Sequence, residues 1–315
     1  AAARHGGKAV RKAASLLQLP SQKRPKREDG AVDLNLDDRQ AAVIVLRSSW
    51  QGRPVRVLLD YRSEQPHLEV AAGSRMLLHG PWQWQVHSGR ERLSAEGPWT
   101  VSHHEEDDDV TLLVIAATLT GGLRLERHLL LGRADRVMLL ADAVVDAGGD
   151  QAPTGLSYRG SLPVAAGCDV TAAAETRELT IADTKPQAML MPLALPEWNC
   201  GHTEHTWGWQ ASSRAIHLEQ RSPVRRLFAP VWVDLAARRF RTQVTWRQLT
   251  VADTRVILRP EQAAGFRIQA ALTQWLLYRS LDEPRNRTFL GCNLSSFFRL
   301  GKLGDDGLVS QMAEW

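Results

Sequence analysis

The chain has 315 residues, of which 43% are hydrophobic, 23% charged and 6% aromatic, and its formal net charge is +4. Such a chain can bury a large core, which excludes a wholly disordered, collagen-like or disulfide-stapled design, and no run approaches the roughly 20 apolar residues of a membrane helix. The positive balance belongs to one end: residues 1–30 hold eight Lys or Arg against Glu28 and Asp29, a net of +6, so residues 31–315 hold 31 basic and 33 acidic side chains, a net of −2.

Residues 1–39 read as a basic tail. Within it Val10, Ala13, Ala14 and Leu17 fall at helical spacing, so Lys8 to Leu19 is a short basic amphipathic helix or part of a solvated linker that ends in Lys23-Arg24-Pro25-Lys26-Arg27. The balanced body lacks the basic stripe of a nucleic-acid reader, so nucleic acid is not its expected partner. The chain opens on Ala and shows no apolar export core, the expectation for a processed chain or a piece of a longer one. Cys168, Cys200 and Cys292 are odd in number, far apart and form no CxxC pair.

From residue 40 the pattern is strand after strand. Ala42 to Leu46 is followed by a turn at Gln51-Gly52-Arg53-Pro54 and by Val55 to Leu59. Apolar and polar residues alternate in Leu123–Arg127, Glu178–Ile181, Ile216–Glu219 and Phe240–Trp246, which puts one set of side chains in a core. Thr111–Leu119 and Val137–Val145 are continuously apolar and β-branched, as expected of strands buried on both faces. Turn residues such as Ala72-Gly73-Ser74 and Thr120-Gly121-Gly122 punctuate the runs. No fixed repeat and no linker interrupts 40–315, which is therefore expected to be one all-β domain, a large antiparallel β-sandwich of the supersandwich kind.

Arg127-His128-Leu129-Leu130-Leu131, followed by Asp135-Arg136-Val137-Met138-Leu139-Leu140-Ala141-Asp142, resembles a strand pair in the C-terminal β-sandwich of the heparinase II/III-like polysaccharide lyases. Leu46-Arg47-Ser48-Ser49-Trp50, leading to Leu58-Leu59-Asp60, is similar to the start of that sandwich. The resemblance implies the sandwich scaffold without the lyases' α/α-toroid, which supplies a Tyr and a His for proton transfer. This sequence has no such helical segment, and none of its residues matches those catalytic positions.

Tryptophan is over-represented, with 11 Trp against 3 Tyr and 6 Phe. Trp82 and Trp84 alternate, as do Trp207 and Trp209, so each pair shares a strand face. Such a pair is either core filling or a platform for sugar rings. Glu197-Trp198-Asn199-Cys200-Gly201-His202-Thr203-Glu204-His205 concentrates groups able to do acid/base chemistry. Cys200, His202 and His205, with Glu197 or Glu204, form a possible divalent metal set, although C-x-H-x-x-H is not a standard signature. His103 to Asp109 is an acidic run that reads as an exposed turn or, alternatively, a calcium loop.

Asp60-Tyr61-Arg62-Ser63-Glu64 sets two carboxylates around a Tyr and an Arg. Tyr158-Arg159 and Tyr278-Arg279 repeat the Tyr-Arg pairing, which points to shared packing as well as to proton transfer. Trp275 to Leu281 and Asn286 to Gly291 either line a polar groove or tie the last strands to the body.

Three readings follow. The first is a non-catalytic sandwich that recognises a carbohydrate or protein partner through Trp82, Trp84, Trp207 or Trp209. The second is a polysaccharide lyase or glycoside-processing enzyme that uses His202, His205 and Glu204, with or without a metal. The third is a structural scaffold.

Overall fold

The computed structural model describes residues 34–147, 155–199, 207–304 and 306–315. The basic residues 1–30 lie outside them. The described residues form β-strands in five antiparallel sheets and one 3-10 turn, Ala237–Arg239. None of their helices is long and apolar enough to cross a membrane. The expected all-β sandwich is the observed fold, and it is layered.

One side carries two five-stranded sheets. The first is a meander of Leu36–Asp38, Val43–Arg47, Val55–Asp60, His67–Ala72 and Arg75–Pro81. The second runs, in spatial order, Trp207–Ala211, Ala215–Ser222, Leu156–Pro163, Gln83–Ser88 and Glu91–Arg92. The central sheet has eight strands in the order Asp169–Ala172, Leu179–Ala182, Pro186–Pro192, Leu227–Asp234, Val137–Asp146, Leu123–Gly132, Val110–Leu119 and Thr100–Glu106. The other side carries Val244–Leu249, Ala263–Ala270, Thr273–Ser280, Phe298–Leu303 and Val309–Glu314, with a small four-stranded sheet beside them.

The central sheet explains the continuously apolar runs. Leu113, Ile115, Ala117, Leu129, Leu131, Met138 and Leu140 point into the core shared with the first two sheets. Their neighbours Leu112, Val114, Leu130, Val137 and Leu139 point into the core shared with the C-terminal sheet. A strand covered on both faces has no solvent side, so its sequence shows no alternation. Gly121 and Gly122, at φ 77° and 68°, make the tight reversal between Val110–Leu119 and Leu123–Gly132.

Two expected boundaries move. Leu36–Asp38, assigned to the tail by charge, is already a strand, because Leu36 pairs with Val45 and packs with Val43 and Leu58. The alternation at Phe240–Trp246 becomes a strand only from Val244. Before it, Arg239 turns back to clamp Asp234 at 2.5 and 2.7 Å, and Phe240 ends the 3-10 turn.

The residues that resemble the lyase sandwich are clamps. Arg127 and Asp142 face each other in register, are fully buried, and join through two bonds of 2.8 Å. Tyr158 donates to the same carboxylate at 2.6 Å, and the third Arg127 nitrogen donates to the Trp82 carbonyl at 2.6 Å. Asp135 accepts from the Trp275 indole at 3.0 Å and from Lys302 at 2.8 Å, which ties the central sheet to the C-terminal one. On the opposite face from Arg127, Glu126 pairs with buried Arg279.

Candidate functional site

The structure sorts the residues singled out from sequence. Trp82 and Trp84 do share a face, but it is the core face, where they are 3% and 2% exposed. The Trp82 ring lies 4.0 Å beneath the Arg127 guanidinium, and the Trp84 indole donates to the Glu64 carbonyl at 3.0 Å. Gln83 and Gln85 take the outward positions, so this pair is not a sugar platform. Trp50, Trp99, Trp232, Trp246 and Trp275 are buried as well, so much of the tryptophan excess fills the two cores.

Cys200, His202, Glu204 and His205 lie outside the described residues. So does the Trp207 side chain, although its backbone starts the strand Trp207–Ala211. Glu197 is buried against Val244–Leu249, and burial raises its pKa from the usual carboxylate value.

The acidic run does not converge. His103 to Glu106 belong to a strand, and Asp107 caps the following turn by accepting from the backbone of Asp109 and Val110. Glu105 accepts from the Glu314 backbone at 3.0 Å and Glu106 pairs with Arg133 at 3.3 Å, so the carboxylates are engaged separately and form no calcium cage. Tyr61, Tyr158 and Tyr278 are all buried. Burial pushes the Tyr61 phenol up to about 12 and Tyr158 well above its ordinary value, which opposes a proton-transfer role at neutral pH. Arg62 instead grips Asp60 with both ends of its guanidinium.

A groove of about 290 Å³ opens where two sheet edges meet. Asp169–Ala172 is the edge strand of the central sheet and Trp207–Ala211 that of its neighbour, so among the described residues neither has a further strand beside it. Trp209 lines the groove together with Thr176, Arg177, Asn199 and Gln210. Its partner across the strand pair is buried Leu218, so the indole packs on the core and remains half-buried. Among the described residues the indole N–H has no hydrogen-bond partner.

Arg177 organises the opposite wall. Its Nη1 donates to the carbonyls of Pro196 at 3.0 Å and of Trp198, and its backbone N–H donates to the Glu197 carbonyl. The Asn199 amide closes the same contact on Glu175 at 2.7 Å. Trp198 stands on this loop as an exposed indole, 48% accessible. Of the four proposed tryptophans, Trp209 is thus the one whose described side chain reaches a groove. Arg177 and Gln210 escape a sequence reading because they come from separate segments and carry no motif, while Asn199 lies in the polar stretch Glu197 to His205 but offers no acid/base group of its own.

A larger cavity, about 680 Å³, lies over Arg279, Ser280, Leu281, Asp282 and Phe297 and takes in Arg279 to Leu281 of the C-terminal stretch but none of Asn286 to Gly291. Its charges are largely committed: Arg226 pairs with Asp282 at 3.5 Å and Arg279 with Glu126. Arg287 is tied to Ser280 at 2.6 Å and to the Gln262 carbonyl at 3.1 Å, which anchors the last strands.

No family model matches the sequence. No curated protein matches it either. Solved structures do match in fold. A heparinase III gene product superposes with a TM-score of 0.50 at 8% identity, over 80% of this chain and 43% of that one, and its methylated-lysine form does so with a TM-score of 0.52 at 8% identity over the same shares. The heparan sulfate lyase HepC from Pedobacter heparinus matches at 12% identity with a TM-score of 0.46, over 82% of this chain and 45% of that one. The chain therefore spans less than half the length of the structures it matches, and the heparinase resemblance read from Arg127 to Asp142 holds at the level of fold.

Proposed function

We propose that the chain is a carbohydrate-recognising β-sandwich that binds a saccharide in the groove at Trp209. The observation that carries this reading is the half-buried Trp209 indole set in a concave site with Arg177, Asn199, Gln210 and Thr176. An indole packs against the apolar C–H face of a sugar ring, while amide, hydroxyl and guanidinium groups bond its hydroxyls and any carboxylate or sulfate. Likeness in fold to the sandwich of a heparinase III supports a saccharide over other ligands, although fold alone does not set function.

The described lining contains no carboxylate, histidine or tyrosine, so it can bind and orient a sugar without moving a proton. Binding without turnover is accordingly the leading reading. A lyase reading is kept because residues 200–206, which hold His202, Glu204 and His205, join Asn199 to the Trp207–Ala211 strand, and both ends border the groove.

An array of neutral, carboxylated and sulfated oligosaccharides separates these outcomes. A bound saccharide should lose roughly five- to tenfold in affinity on Trp209→Ala, in line with the roughly 1–1.4 kcal/mol of an aromatic contact. Because the indole also packs on the core, binding is compared well below the variant's lowered thermal midpoint, where its circular dichroism still matches the parent's. Binding that is indifferent to Trp209, or absent throughout, contradicts the proposal. Growth of ultraviolet absorbance from unsaturated uronide products would instead establish β-elimination.

A further inference from the structure

The strand His67–Ala72 alternates over its first four residues: Leu68 and Val70 are buried in the core, while His67 and Glu69 lie on the outer face of the first sheet. The next strand, Arg75–Pro81, reverses at Gly73, whose φ of 63° suits a tight turn. In the resulting register His79 sits directly opposite Glu69. Two histidines and one carboxylate thus meet on one sheet face, although His67 and His79 are twelve positions apart and form no local motif.

From this cluster we propose a divalent transition-metal site, with zinc as its preferred occupant, formed by Nε2 of His67, Oε1 of Glu69 and Nδ1 of His79. Both nitrogens lie 3.3 Å from Oε1, and the ligand atoms of the three residues all fall within 4.8 Å of one another. Bonds of about 2.0–2.1 Å to a tetrahedral ion put neighbouring ligands roughly 3.3–3.4 Å apart, so the two His–Glu edges already have the spacing of a zinc tetrahedron. The third edge, between the two histidine nitrogens, lies within 4.8 Å.

The donor set is two imidazoles and a carboxylate, which suits zinc and its neighbours in the first row better than calcium or magnesium. Sheet pairing supplies the rigidity: all three ligands lie in paired strands, His67 at the first position of its strand opposite Pro81, and the core residues Leu68, Val70 and Leu78 lock the register beneath. His79 is 54% exposed and His67 38%, so the fourth position opens to solvent or to an incoming oxygen or nitrogen ligand. The site is independent of the Trp209 groove.

Calorimetric titration of the full chain with zinc chloride, alongside cobalt(II) as a spectroscopic probe, tests the assignment. The expected result is uptake of one ion at this site, with the strong visible bands of a tetrahedral cobalt centre. His79→Ala and His67→Ala should each weaken that uptake by at least the roughly 10- to 100-fold that loss of a mere outer partner of a ligand costs. Both side chains are accessible, so the metal-free variants should keep the parent's circular dichroism, which separates loss of a ligand from loss of the fold. Glu69→Gln should weaken binding less than either histidine change. A variant of Cys200, His202 and His205 should leave the uptake intact. No uptake, or uptake abolished only by the Cys200, His202 and His205 variant, overturns the proposal and leaves Glu69 as a carboxylate hydrogen-bonded by two histidines.

Discussion

At the scale of single residues, the centre of the molecule is held by buried charge. Arg127 and Asp142 are each fully enclosed, and Tyr158, the Trp82 carbonyl and the Trp82 ring complete the set of partners. A buried pair so complete stabilises little against an apolar substitute of equal shape, but halving it strands a charge. Arg127→Met should therefore destabilise the protein by about 3–5 kcal/mol in chemical denaturation, because Asp142 is left without its cation. A loss below about 1 kcal/mol would show that the Asp142 carboxylate is satisfied in another way.

His128, one position on, faces the other core and is fully buried beside Phe228 and Phe298. Burial, with the charge of Arg279 second, holds its pKa well below the ordinary histidine value, and burial also lowers those of His103 and His217. The unfolded chain takes up these protons as pH falls through about 6.5 while the folded chain does not, so stability is full above that pH and declines below it. Denaturation midpoints should fall between pH 7 and 5, and His128→Leu should flatten part of that slope. An unchanged slope in the variant would remove His128 from the explanation.

At the scale of elements, what the sequence revealed follows from what each strand touches. The runs Thr111–Leu119 and Val137–Val145 were legible as doubly buried strands because cover on both faces removes the polar alternation. The alternating segments were legible because they have one wet face. The Trp82 and Trp84 pair was legible as sharing a face, but not as sharing the core face. Period-two spacing fixes sidedness, and only the packing partner, here Arg127 above one ring, fixes which side is which.

The Trp209 groove and the His67, Glu69 and His79 cluster were less visible for a related reason. Each is assembled by sheet register from separate segments, whereas the Arg127-to-Asp142 motif lies within one hairpin. Layering itself makes a prediction. Leu129 and Leu130 are adjacent and point into different cores, so Leu129→Ala and Leu130→Ala should each cost about 2–5 kcal/mol. In a two-layer sandwich one of the two would face solvent and cost almost nothing, and thermal or denaturant melts of the pair distinguish the cases.

At the scale of the whole molecule, the charge of +4 resolves into a basic N-terminal stretch and a body that is nearly neutral. The body has the fold of a heparinase III sandwich, and the motif that signals the resemblance consists of a buried pair within the central sheet that clamps it to the neighbouring layers. That division explains why the scaffold is recognisable while the activity is not: the recognisable residues hold the sheets together, and the groove between the sheet edges is built from other positions. Recognition at that groove is the central claim. The measurement that tests it most directly is a crystal structure of the chain with a saccharide selected on the array. A sugar ring should lie against the Trp209 indole, bonded by Arg177 or Asn199. A saccharide ordered elsewhere, such as over Arg279 and Phe297, with the Trp209 groove empty, would contradict it.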